Sequence, residues 1–365
     1  MPDALSPRLQ SAMALLDEIQ ADALLVTNET NVRYLTGFTG DSTYLVVSKD
    51  GVLLLSDGRY ETQLTQQCPS IPSAIRSPSE MLPSLTQSVL TDGGYRRVGI
   101  EADDLSLASF RRFSRLCPDV EWVESTGSIQ RLRMIKDDGE IAITREAVRI
   151  AQESWLQIRE QLKPDWTEQR VAYALESAMR SMGAEGCSFD PIVAAGPAGA
   201  LPHYEPSPAR IGDGSTLLVD WGAKYEGYAS DLTRTYYRDG PTERFRKAYE
   251  VVLEAQLAAI NTIRNGVSAA DVDAAARNVI GNAGMGEAFK HGLGHGVGLY
   301  IHESPRMSAS SADTLETGMI VTVEPGVYFE GDFGIRIEDD VLVKEGGCEV
   351  LSSLSKGLDD SRLIL

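Results

Sequence analysis

The sequence predicts an α/β (α+β) chain in two domains, residues 1–130 and 131–365, and three observations predict it. Strand and helix patterns alternate over roughly the first 125 residues, the pattern of a small α/β domain. Arg131–Lys136 marks the crossing, because Glu140–Leu162 then carries long helical periodicity in Ile143, Ala147, Ile150, Trp155 and Ile158 before Pro164 stops it. Finally, the second part echoes itself. Leu217–Gly222 and Ile320–Gly326 are each an apolar strand ending in a carboxylate (Asp220, Glu324) and a glycine turn, and the next strand brings a second carboxylate (Asp231, Glu338). The echo fits a duplicated half-domain, or two independent β-hairpins.

In chain order, Leu9–Ile19 predicts an amphipathic helix and Ala23–Thr27 a short apolar strand. Asn31–Gly40 is expected as a glycine-punctuated loop. Tyr44–Ser48 and Val52–Ser56 flank Lys49-Asp50-Gly51, a hairpin signal, and Asp57–Tyr60 leads into a helix. Arg97–Glu101 is a strand and Leu105–Leu116 a helix. Past Pro164, Thr167 caps a helix carrying Val171, Leu175, Ala178, Met179 and Met182, closed by Gly183. Strands are expected at Thr216–Asp220 and Tyr228–Tyr237, helices at Phe245–Ile263 and from the Ser268 cap to Ile280, and strands again at Met319–Glu324 and Ile335–Val343.

Composition narrows the function. Hydrophobic residues make up 42% and charged residues 24%, ordinary values for a soluble globular chain. The net charge of −19 excludes a general nucleic-acid binder and opposes binding to anionic membranes. The cysteines Cys68, Cys117, Cys187 and Cys348 lie far apart, with no CxxC spacing, so they are expected as reduced thiols in the cytoplasm. Met1–Ala4 lacks the basic and apolar regions of a signal peptide, and no run of 18 apolar residues is present, so no membrane association is expected.

Chemistry concentrates in Phe289–Pro305, which holds three of the four histidines, His291, His295 and His302, with glycine at every second position from Gly292 to Gly298. Each glycine would cost a helix about 1 kcal/mol against alanine, so the stretch is expected as a strand. His291, Leu293, His295, Val297 and Leu299 then share one face, with glycines on the other where a second backbone can approach. A glycine-rich turn with incidental histidines is the plainer alternative. Asp220 and Asp231, on adjacent antiparallel strands, are expected at opposed positions, where they would repel unless a cation lay between them. Arg336, two residues before Glu338, is placed to orient a carboxylate. Each acid alone reads as a solvated turn residue. Together Asp220, Asp231, Glu324, Glu338 and His295 form an oxygen-rich set with one nitrogen, suited to Mn2+-like ions rather than to a thiolate zinc site.

These motifs, Val219-Asp220-Trp-Gly, Ser230-Asp231-Leu-Thr-Arg-Thr235, His291–Leu299, His302-Glu-Ser-Pro, Val323–Tyr328 and Arg336-Ile-Glu338-Asp, resemble those of the pita-bread metallopeptidases, which include prolidase, aminopeptidase P and methionine aminopeptidase. Asn31–Phe38 and Asp57–Tyr60 resemble the creatinase/prolidase N-terminal domain. The resemblance implies that residues 1–130 form that domain and residues 131–365 a pita-bread catalytic domain with pseudo-twofold halves. It further implies two divalent ions, Mn2+ first with Co2+ or Zn2+ as alternatives: Asp220 on one, His295 and Glu324 on the other, Asp231 and Glu338 bridging both. Glu324 would serve as proton acceptor, and His291 and His302 would contact the scissile amide and its tetrahedral intermediate. His203, His302, Arg306 and Arg336 would bind substrate, Arg306 taking the carboxylate of a dipeptide. The implied enzyme hydrolyses the bond before proline in short peptides, as a homodimeric Xaa-Pro dipeptidase, with Xaa-Pro aminopeptidase as the alternative. A creatinase-like hydrolase or a non-catalytic peptide-binding protein is a remoter reading, opposed by the intact ligand set.

Overall fold

The computed structural model describes residues 6–365; the Met1–Ala4 stretch lies outside the described residues. The chain divides into two compact units after Arg133. The first holds a six-stranded mixed sheet of β1 (Ala23–Val26), β2 (Tyr44–Ser48), β3 (Gly51–Asp57), β4 (Ser73–Arg76), β5 (Arg97–Ile100) and β6 (Glu121–Glu124), in the order β4-β3-β2-β1-β5-β6. Helices α1 (Pro7–Glu18), α2 (Glu29–Thr36), α3 (Glu61–Gln67), α4 (Leu82–Asp92) and α5 (Leu107–Leu116) accompany it, and α6 (Ser128–Met134) ends it. Parallel pairs β1–β5, β5–β6 and β3–β4 need the helical crossovers, whereas β2–β3 is the expected hairpin. Ala23, Leu25, Val46, Leu55, Val98, Ile100 and Phe113 form its core.

One expectation fails here: of Asn31–Gly40, expected as a loop, residues 31–36 belong to helix α2. Asn28 caps it by accepting from the Asn31 N–H, and Gly37 ends it at φ 79°. A cap and a left-handed glycine bracket only two turns, too short for apolar periodicity to show.

The second unit repeats one arrangement twice. Helices α7 (Asp138–Arg159) and α8 (Glu168–Ser181) pack through Ile150, Trp155, Val171 and Leu175 on a sheet of β8 (Ile192–Ala195), β9 (Thr216–Trp221) and β12 (Leu232–Tyr237); the short β7 (Gly186–Cys187), β10 (Ala223–Tyr225) and β11 (Tyr228–Ala229) form a separate ribbon. Helices α9 (Glu243–Thr262) and α10 (Ala269–Asn282) pack through Val252, Ala259, Val272 and Ala276 on β13 (Gly294–Gly296), β14 (Glu303–Met307), β15 (Ile320–Val323), β18 (Asp339–Lys344) and β19 (Gly347–Val350), with the hairpin β16 (Gly326–Phe329) and β17 (Phe333–Arg336) beside them. Each half is a helix pair on antiparallel strands, the duplicated-half reading of the sequence. A backbone bridge from Thr233 to Glu338 joins them.

Three strand expectations need correction. The glycine-histidine stretch pairs only over Gly294–Gly296, with a bulge after His295. Leu293 and Val297 are fully buried in two different apolar clusters instead of lining the histidines' face. The expected Tyr228–Tyr237 strand breaks at Ser230–Asp231 because Ala223–Ala229 turns back on itself at Glu226-Gly227, both with positive φ. Asp220 consequently lies opposite Thr233, two residues past Asp231, so the two acids are diagonal neighbours. The expected Ile335–Val343 strand breaks at Ile337-Glu338, where Glu338 turns to bond across to Thr233.

Candidate metal centre

Each candidate acid sits at or next to a strand end, where backbone pairing stops and a side chain can turn inward, whereas His295 is the middle residue of β13. Asp220 is the penultimate residue of β9, Asp231 immediately precedes β12, Glu324 follows β15, and Glu338 lies between β17 and β18. Glycines let these ends converge. A Cβ on Gly222 would lie 1.8 Å from the Ser230 carbonyl oxygen, so only glycine lets the chain before Asp231 pass against β9. A Cβ on Gly294 would lie 2.2 Å from the Thr322 carbonyl, so glycine seats β13 and His295 against β15.

One ligand atom from each of Asp231, His295 and Glu338 lies within 4.8 Å of the others. His295 Nε2 is 3.6 Å from Asp231 Oδ2 and 3.4 Å from Glu324 Oε1. Its Nδ1 lies 3.0 Å from the Gly296 carbonyl, which can only accept, so Nδ1 carries the proton and Nε2 turns a lone pair toward the acids. Burial lowers the His295 pKa to about 4, keeping the ring neutral. Asp220 completes the acids: one oxygen takes a hydrogen bond from Arg336, and Oδ1 is buried with no partner among the described residues.

The charges conflict without a cation. Burial, followed by the charges of Glu338, Asp220, Glu324 and Asp340, holds the Asp231 pKa well above the usual carboxylate range. Glu338 is raised for the same reasons, burial first and then Glu324 and Asp220. Burial pushes Glu324 up to about 8. Crowded, desolvated acids facing a neutral imidazole lone pair, with one orphaned carboxylate oxygen, are the donor set a divalent cation satisfies.

Hydrogen bonds fix the acids in place. Thr233 Oγ1 donates to Glu338 Oε2 at 2.5 Å and accepts from Arg336 Nε at 3.1 Å. The Asp231 N–H donates to Asp340 Oδ2 at 2.9 Å, and Thr322 Oγ1 accepts from the His295 N–H while donating to Glu324. Arg336, buried, also donates to the Tyr328 hydroxyl at 2.8 Å and to the Pro202 carbonyl. It therefore orients a carboxylate, as expected: Asp220 directly, and Glu338 through Thr233. Sequence reasoning gave no role to Thr233, Thr322, Tyr328 or Asp340. Thr233 was findable, two residues from Asp231 on the same strand face; Asp340 had only the weak signal of a second acid heading an apolar strand.

Other expected residues surround this cluster. The His302 ring is 4.4 Å from that of His295, and His302 is exposed. Arg306 lies opposite His295 across β13–β14, and its guanidinium makes no hydrogen bond or ion pair among the described residues. His203 is exposed and close enough for its charge to depress both His291 and His302, below the leading effect of burial. His291 donates from Nδ1 to the Gly292 carbonyl at 2.7 Å and accepts from Tyr328 at Nε2, 2.9 Å away, so contact with a substrate amide requires one of these bonds to be exchanged.

Residues 142–345 match metallopeptidase family M24, and residues 8–135 match the creatinase/prolidase N-terminal domain. An Xaa-Pro dipeptidase of Pyrococcus horikoshii is 32% identical over 98% of this chain and 99% of its own. The solved Xaa-Pro dipeptidase from Bacillus anthracis superposes with TM-score 0.93 at 36% identity, covering 96% of this chain and 98% of the other. The solved X-Pro aminopeptidase from Thermotoga maritima superposes with TM-score 0.88 at 35% identity, covering 95% and 99%. Converging carboxylates and an imidazole, in a chain similar throughout its length to such enzymes, leave one family: the chain belongs to metallopeptidase family M24, with a creatinase/prolidase N-terminal domain.

Proposed function

We propose that the chain is a dinuclear-metal Xaa-Pro dipeptidase, carried by residues 131–365 as catalytic domain after residues 1–130. The observation that carries the metal reading is the convergence of Asp231, His295 and Glu338, flanked by Glu324 and the orphaned oxygen of Asp220. Asp220 would hold one ion, His295 and Glu324 the other, and Asp231 and Glu338 both; the oxygen-rich set favours Mn2+ over a thiophilic ion. When bound, such ions activate water at neutral pH and polarise the scissile carbonyl. Glu324 takes the proton from the attacking water and delivers it to the leaving nitrogen. His302, exposed beside His295, donates to the developing oxyanion. His203 lines the pocket, Arg336 holds Asp220, and His291 orients Tyr328 or, after exchanging that bond, the scissile amide.

The dipeptidase preference rests on Arg306, whose guanidinium, without a hydrogen bond or ion pair among the described residues, is a planar fork for the carboxylate that follows proline in a dipeptide. The named relatives from Pyrococcus and Bacillus support it; the Thermotoga enzyme supports the aminopeptidase alternative. The test compares Ala-Pro with Ala-Pro-Ala hydrolysis in wild type and Arg306→Ala with Mn2+ added. We expect the dipeptide to lose about 1.5–3 kcal/mol of transition-state binding, the range for a hydrogen bond to a charged group, and the tripeptide much less. Equal losses, or a wild type favouring the tripeptide, assign aminopeptidase activity. The four free thiols suit a reducing cytoplasm, and among the described residues no helix is long and apolar enough to cross a membrane. The family's N-terminal domain supports a homodimer, which sedimentation at micromolar concentration tests.

A further inference from the structure

We infer that Glu168, a fully buried acid outside the metal centre, is a positioning residue that sets His203 over the site. The inference rests on the proposed role of His203 in the substrate pocket. Glu168 opens helix α8, and its side chain is entirely inaccessible. Among the described residues no cation pairs with it. Four donors do, one from the end of β8 and three from the loop that follows it: Oε1 accepts from the Ala195 N–H at 2.8 Å, and Oε2 accepts from the Tyr204 hydroxyl at 2.8 Å, the Ser207 N–H at 3.0 Å and the Ser207 hydroxyl at 2.6 Å. A carboxylate offers about four lone-pair sites, enough to accept from all four converging donors.

The helix backbone repeats the attachment. The Glu168 and Gln169 N–H groups, among the orphan donors of a helix start, donate to the Ala209 and Ser207 carbonyls. The near end of the loop is held separately. Gly199 lies so close to β17 that a Cβ on Gly334 would stand 1.8 Å from its carbonyl oxygen, and the Pro202 carbonyl accepts from Arg336. His203 is the one residue between the two clamps, Pro202 on Arg336 and Tyr204 on Glu168. It reaches neither and is exposed, with its charge felt at His291 and His302. Arg336 ties the loop to Asp220, and Glu168 ties it to the rigid α8. The pair fixes the height of the imidazole above the acids.

The experiment replaces the acceptor without changing volume. Glu168→Gln turns an NH2 group toward at least one donor set. Amide exchange over residues 196–209 should speed up about tenfold as that loop opens locally. KM for Ala-Pro should rise about tenfold with kcat within about threefold, the signature of weakened positioning of bound substrate. Mn2+ affinity, measured by calorimetry on the metal-free protein, should not change. Combining Glu168→Gln with His203→Ala should raise KM no further than His203→Ala alone, because both act through one imidazole. Tyr204→Phe removes a single donor and should move exchange and KM in the same direction by less, which keeps the inference testable if Glu168→Gln folds poorly. Unchanged exchange in both variants, additive KM effects, or a loss in kcat alone would overturn it. A wild type that cleaves no Xaa-Pro peptide would defeat the dipeptidase reading instead, and the exchange measurement would still decide whether Glu168 latches the loop.

Discussion

Asp231 carries the heaviest demand of any single side chain. It is buried among Glu338, Asp220 and Glu324, and among the described residues it accepts no hydrogen bond from an arginine or lysine, while Asp220 leans on Arg336. Asp231→Asn removes charge from both proposed ions and turns an NH2 group toward its neighbours. We expect kcat to fall by at least about a thousandfold, near 4 kcal/mol of transition-state stabilisation, with reduced Mn2+ content by elemental analysis. Activity within about tenfold of wild type, or 1.4 kcal/mol, would show that Asp231 does not bridge.

Among elements, β13 is three residues long, yet it presents His295 because glycines on either side remove every steric obstacle to its neighbours. Gly294→Ala drives a Cβ into the Thr322 carbonyl and hydroxyl, at 2.2 and 2.6 Å. Thr322 is the hydroxyl that links the His295 N–H to Glu324, so strain there disturbs two candidate ligands at once. The variant should lose about 1–3 kcal/mol of stability, the usual cost of overpacking, and bind Mn2+ more weakly in calorimetry. A wild-type melting temperature and wild-type affinity together would show that the strand accommodates the methyl. In the first unit the two-turn helix α2 depends on its cap. Asn28→Ala should cost about 1 kcal/mol in chemical denaturation.

At the scale of the molecule, the buried acids make folding and metal binding one equilibrium. Chelator-treated protein should be inactive and melt at lower temperature, and Mn2+ should restore both. At a hundredfold excess over Kd, a single ion that binds only the folded chain adds about 2.7 kcal/mol. Full activity in protein free of metal by elemental analysis would end the metallopeptidase mechanism. Acid sensitivity has a separate source in the N-terminal unit. The Arg59 guanidinium beside Asp57 lowers its pKa from 3.8 to about 2. A depressed carboxylate stabilises the fold above its unfolded pKa and loses that stabilisation as pH falls through its folded one. Asp57→Asn should therefore flatten part of the stability loss between about pH 4 and pH 2, seen in melts across that range. Parallel wild-type and variant profiles there would show that the pair contributes nothing.

The sequence by itself determined the two-part α/β architecture, the repeated strand-carboxylate-glycine unit and the identity of the clustered acids and His295, because each is written locally as periodicity, a turn glycine or a spaced ionisable residue. Asp231, Glu324 and Glu338 come from the ends of separate strands and His295 from the middle of β13, and only folding brings them together. Tertiary structure decided everything that depends on register or close approach. The β10–β11 excursion shifted Asp220 opposite Thr233, and a bulge cut the glycine-histidine strand to three residues. Which carboxylate Arg336 holds, Asp220, was decided there, and Glu168 reached a loop some thirty residues further along the chain. A side chain's partner is set by which strand ends and loops meet in space, and hydrophobic periodicity, which reports only the face a residue occupies, carries no record of it.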